Sequence, residues 1–451
     1  MSMIASLYGS MVFNDDKMKK RLPADVYKRY HQCLKEGSEL SSADANVIAN
    51  EMKDWAVEMG ATHYTHWFQP MTGITAEKHD SFIEPEGDSV IMKLSGKELI
   101  KGEADASSFP NGGLRSTFEA RGYTAWDMSS YAFIKDGTLC IPTVFLSYGG
   151  ESLDKKTPLL KSEELIEKQA KRLLHLLGKE VSSVITTVGA EQEYFLIDKK
   201  MYHKRKDLVY TGRTLFGNRP PKTQELDDHY FGVIKPRVLA FMKELNEECW
   251  KLGIPAKTQH NEVAPCQHEL APIFTLTNRA CDQNQIIMEL MKKVADRHDL
   301  VCLLHEKPFN GINGSGKHNN WSMSADGENL LSPSGRDEQF LLFLCAVIQA
   351  VDEYPALLRV AAASAGNDHR LGGHEAPPAV LSIFIGNDLE ERIRDFIYQR
   401  GTTASGRSSL NVDVHSLPKF AQDTSDRNRT SPFAFTGNKF EFRMLGSSQS
   451  I

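Results

Sequence analysis

The sequence predicts an α+β protein, with a helical N-terminal segment, a small domain of short strands, and a larger domain of strands with flanking helices. Three observations predict this class. Apolar residues recur at helical spacing up to residue 60, and short β-prone runs broken by glycine, proline and aspartate fill residues 80–148. Beyond residue 156, strand-like runs alternate with long apolar helices. The expected divisions are therefore residues 1–75, 76–155 and 156–451.

The first two divisions carry helix and turn signals. In the helical segment, which runs from Pro23 to about Gly60, the residues Ser41 to Asp44 are typical of a helix N-terminus, and Gly60 marks the stop. In the small domain, Asp136-Gly137 predicts a hairpin turn between two strands.

The third division is expected to begin with a charged linker over residues 151–164, which leads into an amphipathic run over 165–178. Two later runs, 274–298 and 336–364, have apolar residues at helical spacing and predict core helices. Pro355 is expected to interrupt the second of them, because proline removes a helical hydrogen bond.

Composition argues against several classes of partner and compartment. The formal net charge of −6 gives no basic surface for nucleic acid or for an anionic membrane. No window approaches 18 consecutive apolar residues, so no membrane span is expected. The 7 cysteines are scattered and odd in number, and the first residues lack the pattern of a signal peptide. A cytoplasmic protein with reduced thiols is the expectation.

Two glutamates lie in a stretch that otherwise has the pattern of a buried strand. The sequence GAEQEYFLI, residues 189–197, has apolar and β-prone flanks around Glu191 and Glu193. Side chains alternate in a strand, so both carboxylates face the same side with their Cα atoms about 6.6 Å apart. Because they repel each other, water at an exposed edge, basic partners or bound cations must neutralise them.

Two further polar segments follow, the first containing proline and the second rich in glycine. In TQHNEVAPCQHELAPIF, Glu262 and Glu269 flank a proline that argues against a continuous helix, and a solvated loop is an equal alternative. In EKPFNGINGSGKHNNWSM, residues 311–318 approach a P-loop, but His318 replaces the Ser/Thr that would hold magnesium, and the next residues alternate like a strand. We reject the P-loop and leave open whether His318 is a metal ligand or a structural histidine.

Two further polar segments lie near the C-terminal end of the sequence. The first, AGNDHRLGGHEAPPA, contains Arg370 and Glu375 and suits either a mobile lid or an ordinary surface loop. The second, KFEFR, alternates so that Lys439, Glu441 and Arg443 share one face of a strand, which an exposed edge strand would also do.

The candidate ligands chosen from these segments are five carboxylates and one imidazole, with no thiolate. Such an oxygen-dominated set favours magnesium or manganese over structural zinc. Arginines and glycine N–H groups suit phosphates, and divalent cations that bridge nucleotide phosphates are a common means of phosphoryl transfer. The candidate ligands are Glu191, Glu193, Glu262, Glu269, His318 and Glu441.

The same segments, in the same order, resemble the glutamine synthetase family. The matching motifs are GAEQEYFLID, HNEVAPCQHEL, NGSGKHNNWS, RLGGHEAPPA and NKFEFR, and the stretches THYTHWFQPMTGITAEKHDSF and FPNGGLRSTFEARGYTAWD resemble the type III class. The resemblance implies a β-grasp domain followed by a catalytic domain whose antiparallel strands form an active site. It also implies ATP-dependent ligation of ammonium to glutamate through γ-glutamyl phosphate, in homo-oligomeric rings with sites shared between subunits.

The resemblance also assigns roles to individual residues. It implies one metal on Glu193, Glu262 and Glu269, and another on Glu191, His318 and Glu441. Arg370 would stabilise the transferred phosphoryl group, Glu375 would close the site and take a proton from ammonium, and Asn313 and Gly314 would bind glutamate. Arg443 would hold the substrate carboxylate or the phosphoryl group. The implied nucleotide contacts are Ser322, Arg429 and Lys439, and the implied ammonium-site residues from an adjacent subunit are Asp105 and Ser108.

Some positions depart from the family pattern. The usual second arginine of NRSxxxR is replaced by Ala434, and Lys439 stands where arginine is common. Type III members continue well beyond the position that matches Ile451, so the sequence resembles a C-terminally truncated member. A related glutamate–amine ligase and a non-catalytic chain that binds nucleotide or partner subunits are the alternatives.

Overall fold

The computed structural model describes residues 3–69, 75, 77–105, 121–218, 223–333, 337–373, 376–398, 409–410, 414, 416, 420–421 and 431–451. Helices and sheets are mixed within these residues, which confirms the α+β class. The helices are α1 Met3–Leu7, α2 Asp15–Arg21, α3 Ala24–Glu36, α4 Ser42–Glu58, α5 Gly96–Ile100, α6 Lys156–Leu176, α7 Lys199–His203, α8 Lys206–Thr211, α9 Pro236–Lys251, α10 Thr277–Arg297, α11 Asp337–Glu353, α12 Pro355–Ala361, α13 Ala365–Arg370 and α14 Asn387–Ile397.

Within the described residues, the strands form a six-stranded sheet, a ten-stranded sheet and two small ribbons. In the N-terminal third they are β1 His63–Trp67, β2 Asp80–Ser81, β3 Ile83–Glu86, β4 Ser89–Met92, β5 Lys101–Asp105, β6 Arg121–Trp126, β7 Phe133–Lys135 and β8 Thr138–Ser147. The rest are β9 Val184–Asp198, β10 Ala256–Asn261, β11 Gln267–Pro272, β12 Thr275–Leu276, β13 Leu300–Leu303, β14 Lys317–Ala325, β15 Glu328–Asn329, β16 Ile383–Phe384, β17 Ser409–Leu410, β18 Phe420–Ala421, β19 Phe433–Phe435 and β20 Phe440–Phe442.

The predicted signals of the N-terminal part are confirmed. The Ser41 hydroxyl accepts a hydrogen bond from the Asp44 N–H at 3.1 Å, so Ser41 caps α4. The helix ends at Glu58, and Gly60 follows with a φ of 89°. Asp136 and Gly137, with φ of 50° and 70°, form the tight turn between β7 and β8. The cap, the helix end and the turn each follow from the conformational preferences of the residues at those positions.

The six-stranded sheet has the order β2-β1-β8-β6-β5, with β7 also paired to β8. Its β1 runs parallel to β8, and the other pairs are antiparallel. Helices α2 to α4 cover it through an apolar core that includes Phe13, Trp55 and Phe82. A second core, built largely from α9, α10 and β9, also takes in Trp67 and Phe133, so the N-terminal sheet shares a core with the larger domain.

The ten-stranded sheet carries the polar segments. Its order is β10-β11-β9-β14-β20-β19-β16, with β12 and β13 paired to β9 and β15 paired to β14. The central strand β9 has 15 residues and meets both β11 and β14 in antiparallel register. Strands that are distant in the sequence thus become neighbours around the glutamate pair of β9.

The predicted charged linker over 151–164 is wrong, because α6 already begins at Lys156. Pro158 lies in the first turn of α6, where its missing N–H has no intrahelical partner to lose. The predicted core helix near residue 290 is confirmed as α10, and Pro355 separates α11 from α12 as expected. Among the described helices, none alone has the length and apolarity to cross a membrane, and α11 with α12 meet that test only as a pair bent by 75°.

A buried ionic cluster joins the segment after β6 to α6 and α10. The Lys156 ammonium lies 2.8 Å from the Asp127 carboxylate and 2.6 Å from that of Asp282, and all three side chains are buried. Ser130 and Asn278 donate further hydrogen bonds to the two carboxylates. The small domain, α6 and α10 therefore meet at one desolvated charge cluster.

Candidate functional site

All the predicted ligands on strands project from one face of the ten-stranded sheet. Glu191 and Glu193 are two residues apart on β9, and His318 lies opposite Glu191 while Glu269 lies opposite Glu193. Glu441 lies opposite Asn320, which is two residues along β14 from His318. Directly paired residues of antiparallel strands share a face. The register therefore gathers side chains that are up to 250 residues apart in sequence.

The first cluster consists of Glu191, His318 and Glu441, whose potential ligand atoms lie within 4.8 Å of one another. Nδ1 of His318 is 3.2 Å from a Glu191 oxygen and 3.1 Å from a Glu441 oxygen. This buried nitrogen makes no aligned hydrogen bond to a described residue. Asn320 donates to Glu191 at 2.8 Å and Arg443 donates to Glu441 at 3.0 Å, which orients both carboxylates.

The pKa shifts in this cluster favour a protonated His318 that faces ionised carboxylates. Burial would lower the pKa of His318, but the Glu191 and Glu441 carboxylates outweigh burial and raise it to about 10. Burial would likewise raise the pKa of Glu441, but His318 and Arg443 hold it well below its usual range. A proton on His318 therefore supplies positive charge between the two carboxylates.

Divalent-metal binding to this cluster is expected to release that proton. With a pKa of about 10, His318 is protonated at neutral pH and must lose the proton to coordinate a cation. Calorimetry with Mn²⁺ at pH 7.5, in two buffers of different ionisation enthalpy, should show about one proton fewer released by His318→Asn than by the parent chain at saturating metal. Equal release from both would contradict this assignment of the proton.

The same pKa shift predicts the pH dependence of stability for the metal-free chain. Because the pKa of His318 is higher in the folded chain than in the unfolded chain, protonation of His318 stabilises the fold. This contribution to the free energy of unfolding is complete below the unfolded-state pKa of about 6.5 and disappears as the pH rises toward about 10. Saturating metal should remove this pH dependence.

The second cluster consists of Glu262, Glu269 and His260, whose potential ligand atoms again lie within 4.8 Å of one another. His260 lies opposite Glu269 in the β10–β11 pairing, with Nε2 3.5 Å from its carboxylate and Nδ1 3.7 Å from that of Glu262. Glu269 raises the pKa of His260 to about 9. The sequence interpretation did not include His260, although its position two residues before Glu262 is a period-two signal.

Glu193 lies between this cluster and the loop over residues 311–316. It faces Glu269 across the strand pair, while its Oε2 accepts the Gly316 N–H at 2.7 Å. Burial raises its pKa. Glu193 thus borders the second cluster and is bound to the loop.

The loop over residues 311–316 holds the predicted glutamate contacts in a buried position. Asn313 and Gly314 are both buried. The backbone N–H of Asn313 donates a hydrogen bond to the side-chain oxygen of Gln224. A Cβ at Gly314 would lie 2.3 Å from the Glu306 carbonyl oxygen and 2.7 Å from Arg370 Cγ, so only glycine fits there.

The two predicted arginines are both buried, and Arg370 lies against Gly314 and Gly316 of this loop. Arg370 is 2% exposed and donates from Nη2 to the Met444 carbonyl at 2.9 Å and the Leu445 carbonyl at 3.2 Å. Burial lowers its pKa. Arg443 is 1% exposed and contacts Glu441, so it belongs directly to the first cluster.

A cavity of about 760 Å³ opens beside the first cluster. Glu191, Glu441 and Arg443 line one part of it, and the predicted nucleotide contacts Ser322 and Lys439 line another. Phe274, 64% exposed, also lines the cavity and gives it an aromatic face that the sequence interpretation did not identify.

Four predicted site residues cannot be placed by their side chains. Ser108, Glu375 and Arg429 lie outside the described residues. Asp105 is the last residue of β5, and only its backbone is described. The roles that the resemblance implies for these four stay predictions.

Comparisons with known proteins agree over most of the chain. The family described as "Glutamine synthetase type III N terminal" matches residues 4–162, and "Glutamine synthetase, catalytic domain" matches residues 168–381. A glutamine synthetase of Bacteroides fragilis (strain YCH46) is 54% identical, and a type-3 glutamine synthetase of Dictyostelium discoideum is 51% identical. Each alignment covers 99% of this chain and 62% of the relative, so the chain spans less than two thirds of their length.

A solved structure agrees on the fold. The cryo-electron microscopy structure of Plasmodium falciparum glutamine synthetase superposes with a TM-score of 0.59 at 15% identity, covering 92% of this chain and 73% of that one. At this identity the likeness concerns the fold alone.

Proposed function

Because this chain belongs to the glutamine synthetase family and carries its type III N-terminal and catalytic domains, we propose that it ligates ammonia to L-glutamate at the expense of ATP. The products would be L-glutamine, ADP and phosphate, a step of nitrogen assimilation. The observation that carries the proposal is the convergence of Glu191, His318 and Glu441 beside a cavity of nucleotide size.

The donor set fits two or more divalent cations of the magnesium or manganese type. Carboxylates dominate both clusters, and in the first a buried imidazole nitrogen points between two of them. Glu191, His318 and Glu441 would hold one cation, and Glu193, Glu262 and Glu269 the other. Cations held by these residues would supply the positive charge that phosphoryl transfer from ATP requires.

The chain itself would orient both substrates along the cavity. Phe274 offers a face on which a base can stack, Ser322 and Lys439 line the same cavity, and Arg429 would be a further nucleotide contact. Asn313 and Gly314 would bind glutamate. Arg443, already fixed against Glu441, would direct its guanidinium at the substrate carboxylate or the transferred phosphoryl group, and Arg370 would stabilise that group.

Two chemical steps would follow. The side-chain carboxylate of glutamate attacks the γ-phosphorus of ATP, the bond to the bridging oxygen breaks, and ADP leaves. Ammonia, formed when Glu375 takes a proton from ammonium, then attacks the acyl carbon and displaces phosphate. A free carboxylate is a poor acyl donor, so the first step supplies a leaving group, and closure of the segment around Glu375 would keep water from hydrolysing the acyl phosphate.

The ammonium site would be completed by a second subunit. Asp105 and Ser108 would be lent by an adjacent copy, so the active form would be a homo-oligomer, such as a ring. Light scattering tests this point, because an active monomer would contradict the shared site.

Glutamine formation tests the proposed function directly. The purified chain is supplied with glutamate, ATP and either Mg²⁺ or Mn²⁺, and phosphate release is measured with and without ammonium. We expect ammonium-dependent phosphate release that matches the glutamine formed. Phosphate release that depends on a larger amine but not on ammonium would indicate a related glutamate–amine ligase, and no release with either would refute the ligase function of this chain.

A further inference from the structure

Gln267, the first residue of β11, is completely buried between the second acidic cluster and the loop over residues 311–316. Its Nε2 donates to the Gly314 carbonyl at 2.9 Å and to the Ser315 hydroxyl at 3.0 Å, and lies 3.4 Å from Oε2 of Glu193. Its Oε1 accepts the Ala264 N–H at 3.1 Å and the Asn313 side-chain N–H at 3.3 Å. One amide thus contacts two parts of the proposed site.

The chemistry of the partners fixes the orientation of this amide. The Ala264 N–H can only donate, and the Gly314 carbonyl can only accept, so a flipped amide would oppose like groups at both ends. In a fully buried position such a mismatch would leave polar groups unpaired, at a cost that favours the observed orientation. Gln267 is therefore held in one conformation by its surroundings.

Glu193 is bound to the loop in two ways. Its Oε2 accepts the backbone N–H of Gly316 at 2.7 Å, and its own backbone N–H donates to the Gly316 carbonyl at 3.3 Å. The same Oε2 lies 3.4 Å from the Gln267 amide nitrogen, which is closer to the Gly314 carbonyl and the Ser315 hydroxyl. Any displacement of the Glu193 carboxylate is thus transmitted to the backbone of Gly314 and Gly316. Loop and carboxylate form a single hydrogen-bonded unit.

We propose that Gln267 is a positioning residue that couples divalent-cation binding at Glu193 to glutamate binding at Asn313 and Gly314. This inference rests on the proposed function, which assigns the cation to one side of the amide and glutamate to the other. The amide holds the loop backbone at Gly314, and the loop in turn holds the Glu193 carboxylate through the Gly316 N–H, so occupation of either side favours the arrangement that the other side needs. Such coupling is reciprocal, because each ligand changes the affinity for the other by the same factor.

The test measures this factor by calorimetry. Glutamate affinity is determined with and without saturating Mn²⁺, and Mn²⁺ affinity with and without glutamate. In the parent chain we expect each ligand to tighten the other by about fivefold or more. In Gln267→Met, which keeps the side-chain length but removes every hydrogen bond, we expect the factor to fall to about 1 and Mn²⁺ to bind about tenfold more weakly.

A second variant tests the donor group of the Gln267 amide separately from its acceptor group. Gln267→Glu keeps an acceptor for the Ala264 N–H but removes the donor that Gly314 and Ser315 require. It should therefore lose coupling even where its thermal stability matches that of the parent. Gln259→Met on β10 is the matched control, since Gln259 contacts Asn246 rather than the site and should retain the parent factor.

The outcomes separate this inference from the proposed function. A parent chain that neither binds glutamate nor forms glutamine refutes both. A parent chain that forms glutamine, but whose coupling factor is absent or is unchanged in Gln267→Met and Gln267→Glu, refutes the inference alone. A change in melting temperature without a change in the factor would identify Gln267 as a packing residue and would overturn its positioning role.

Discussion

Replacing Glu441 by glutamine is expected to weaken Mn²⁺ binding, and any glutamine formation, by more than about 100-fold. Loss of a residue that only orients a ligand costs about 10–100-fold in metal affinity or activity, and Glu441 would itself be a ligand. The variant keeps the side-chain shape and an acceptor for Arg443, so the fold should persist. Calorimetry with Mn²⁺ measures the metal affinity independently of turnover.

Glu328→Gln provides the matched control for this result. Glu328 is on β15 of the same sheet but pairs with Lys179 at the surface, at 3.2 Å. Its replacement should leave metal affinity within about twofold, since surface ion pairs contribute little. Parent-like Mn²⁺ affinity in Glu441→Gln would show that the first cluster does not bind the cation.

Replacing Lys156 by methionine is expected to lower the free energy of unfolding by about 3–5 kcal/mol at pH 7. The substitution keeps the side-chain length but leaves Asp127 and Asp282 facing each other without a cation in a desolvated position. Urea unfolding followed by circular dichroism measures the loss. Lys171→Met, which removes an exposed pair with Glu167, should cost no more than about 0.5 kcal/mol.

The pH dependence of unfolding gives a second measurement on the same variant. Burial would raise the pKa of Asp127, but Lys156 outweighs burial and lowers it to about 2. Because the pKa of Asp127 is lower in the folded chain than in the unfolded chain, its ionisation stabilises the fold. This contribution to the free energy of unfolding is complete above the unfolded-state pKa of about 3.9 and is lost as the pH falls toward about 2. The parent chain should show this acid-side loss and Lys156→Met should not. If the free energy of unfolding fell equally in the parent chain and in Lys156→Met as the pH is lowered, the cluster would not be the source of this stability.

The features that were predicted correctly depend on local chemistry. The Ser41 cap, the Asp136-Gly137 turn and the break at Pro355 each follow from the conformational preferences of the residues involved. The amphipathic run over 165–178 matches most of α6, but the first residues of this helix were missed because charge and a proline were interpreted as a linker, although proline is tolerated in a first turn.

The site could be predicted only in part, because register is not a local property. The alternation of side chains along a strand predicted that Glu191 and Glu193 share a face. No local pattern in the sequence indicates that His318 pairs with Glu191. The resemblance supplied that grouping. His260 and Gln267 were missed for the same reason, since their importance arises from what lies opposite them and across the loop.

The strand order of the ten-stranded sheet has a consequence for synthesis. Strand β20, which carries Glu441, pairs with β14 and lies only two strands from β9, although some 250 residues separate Glu441 from Glu191. A nascent polypeptide therefore exposes its acidic β9 long before the partner that completes the cluster has left the ribosome. Closure over so long a loop is slow, and until it occurs the half-built sheet offers an unpaired edge that chaperones would need to shield.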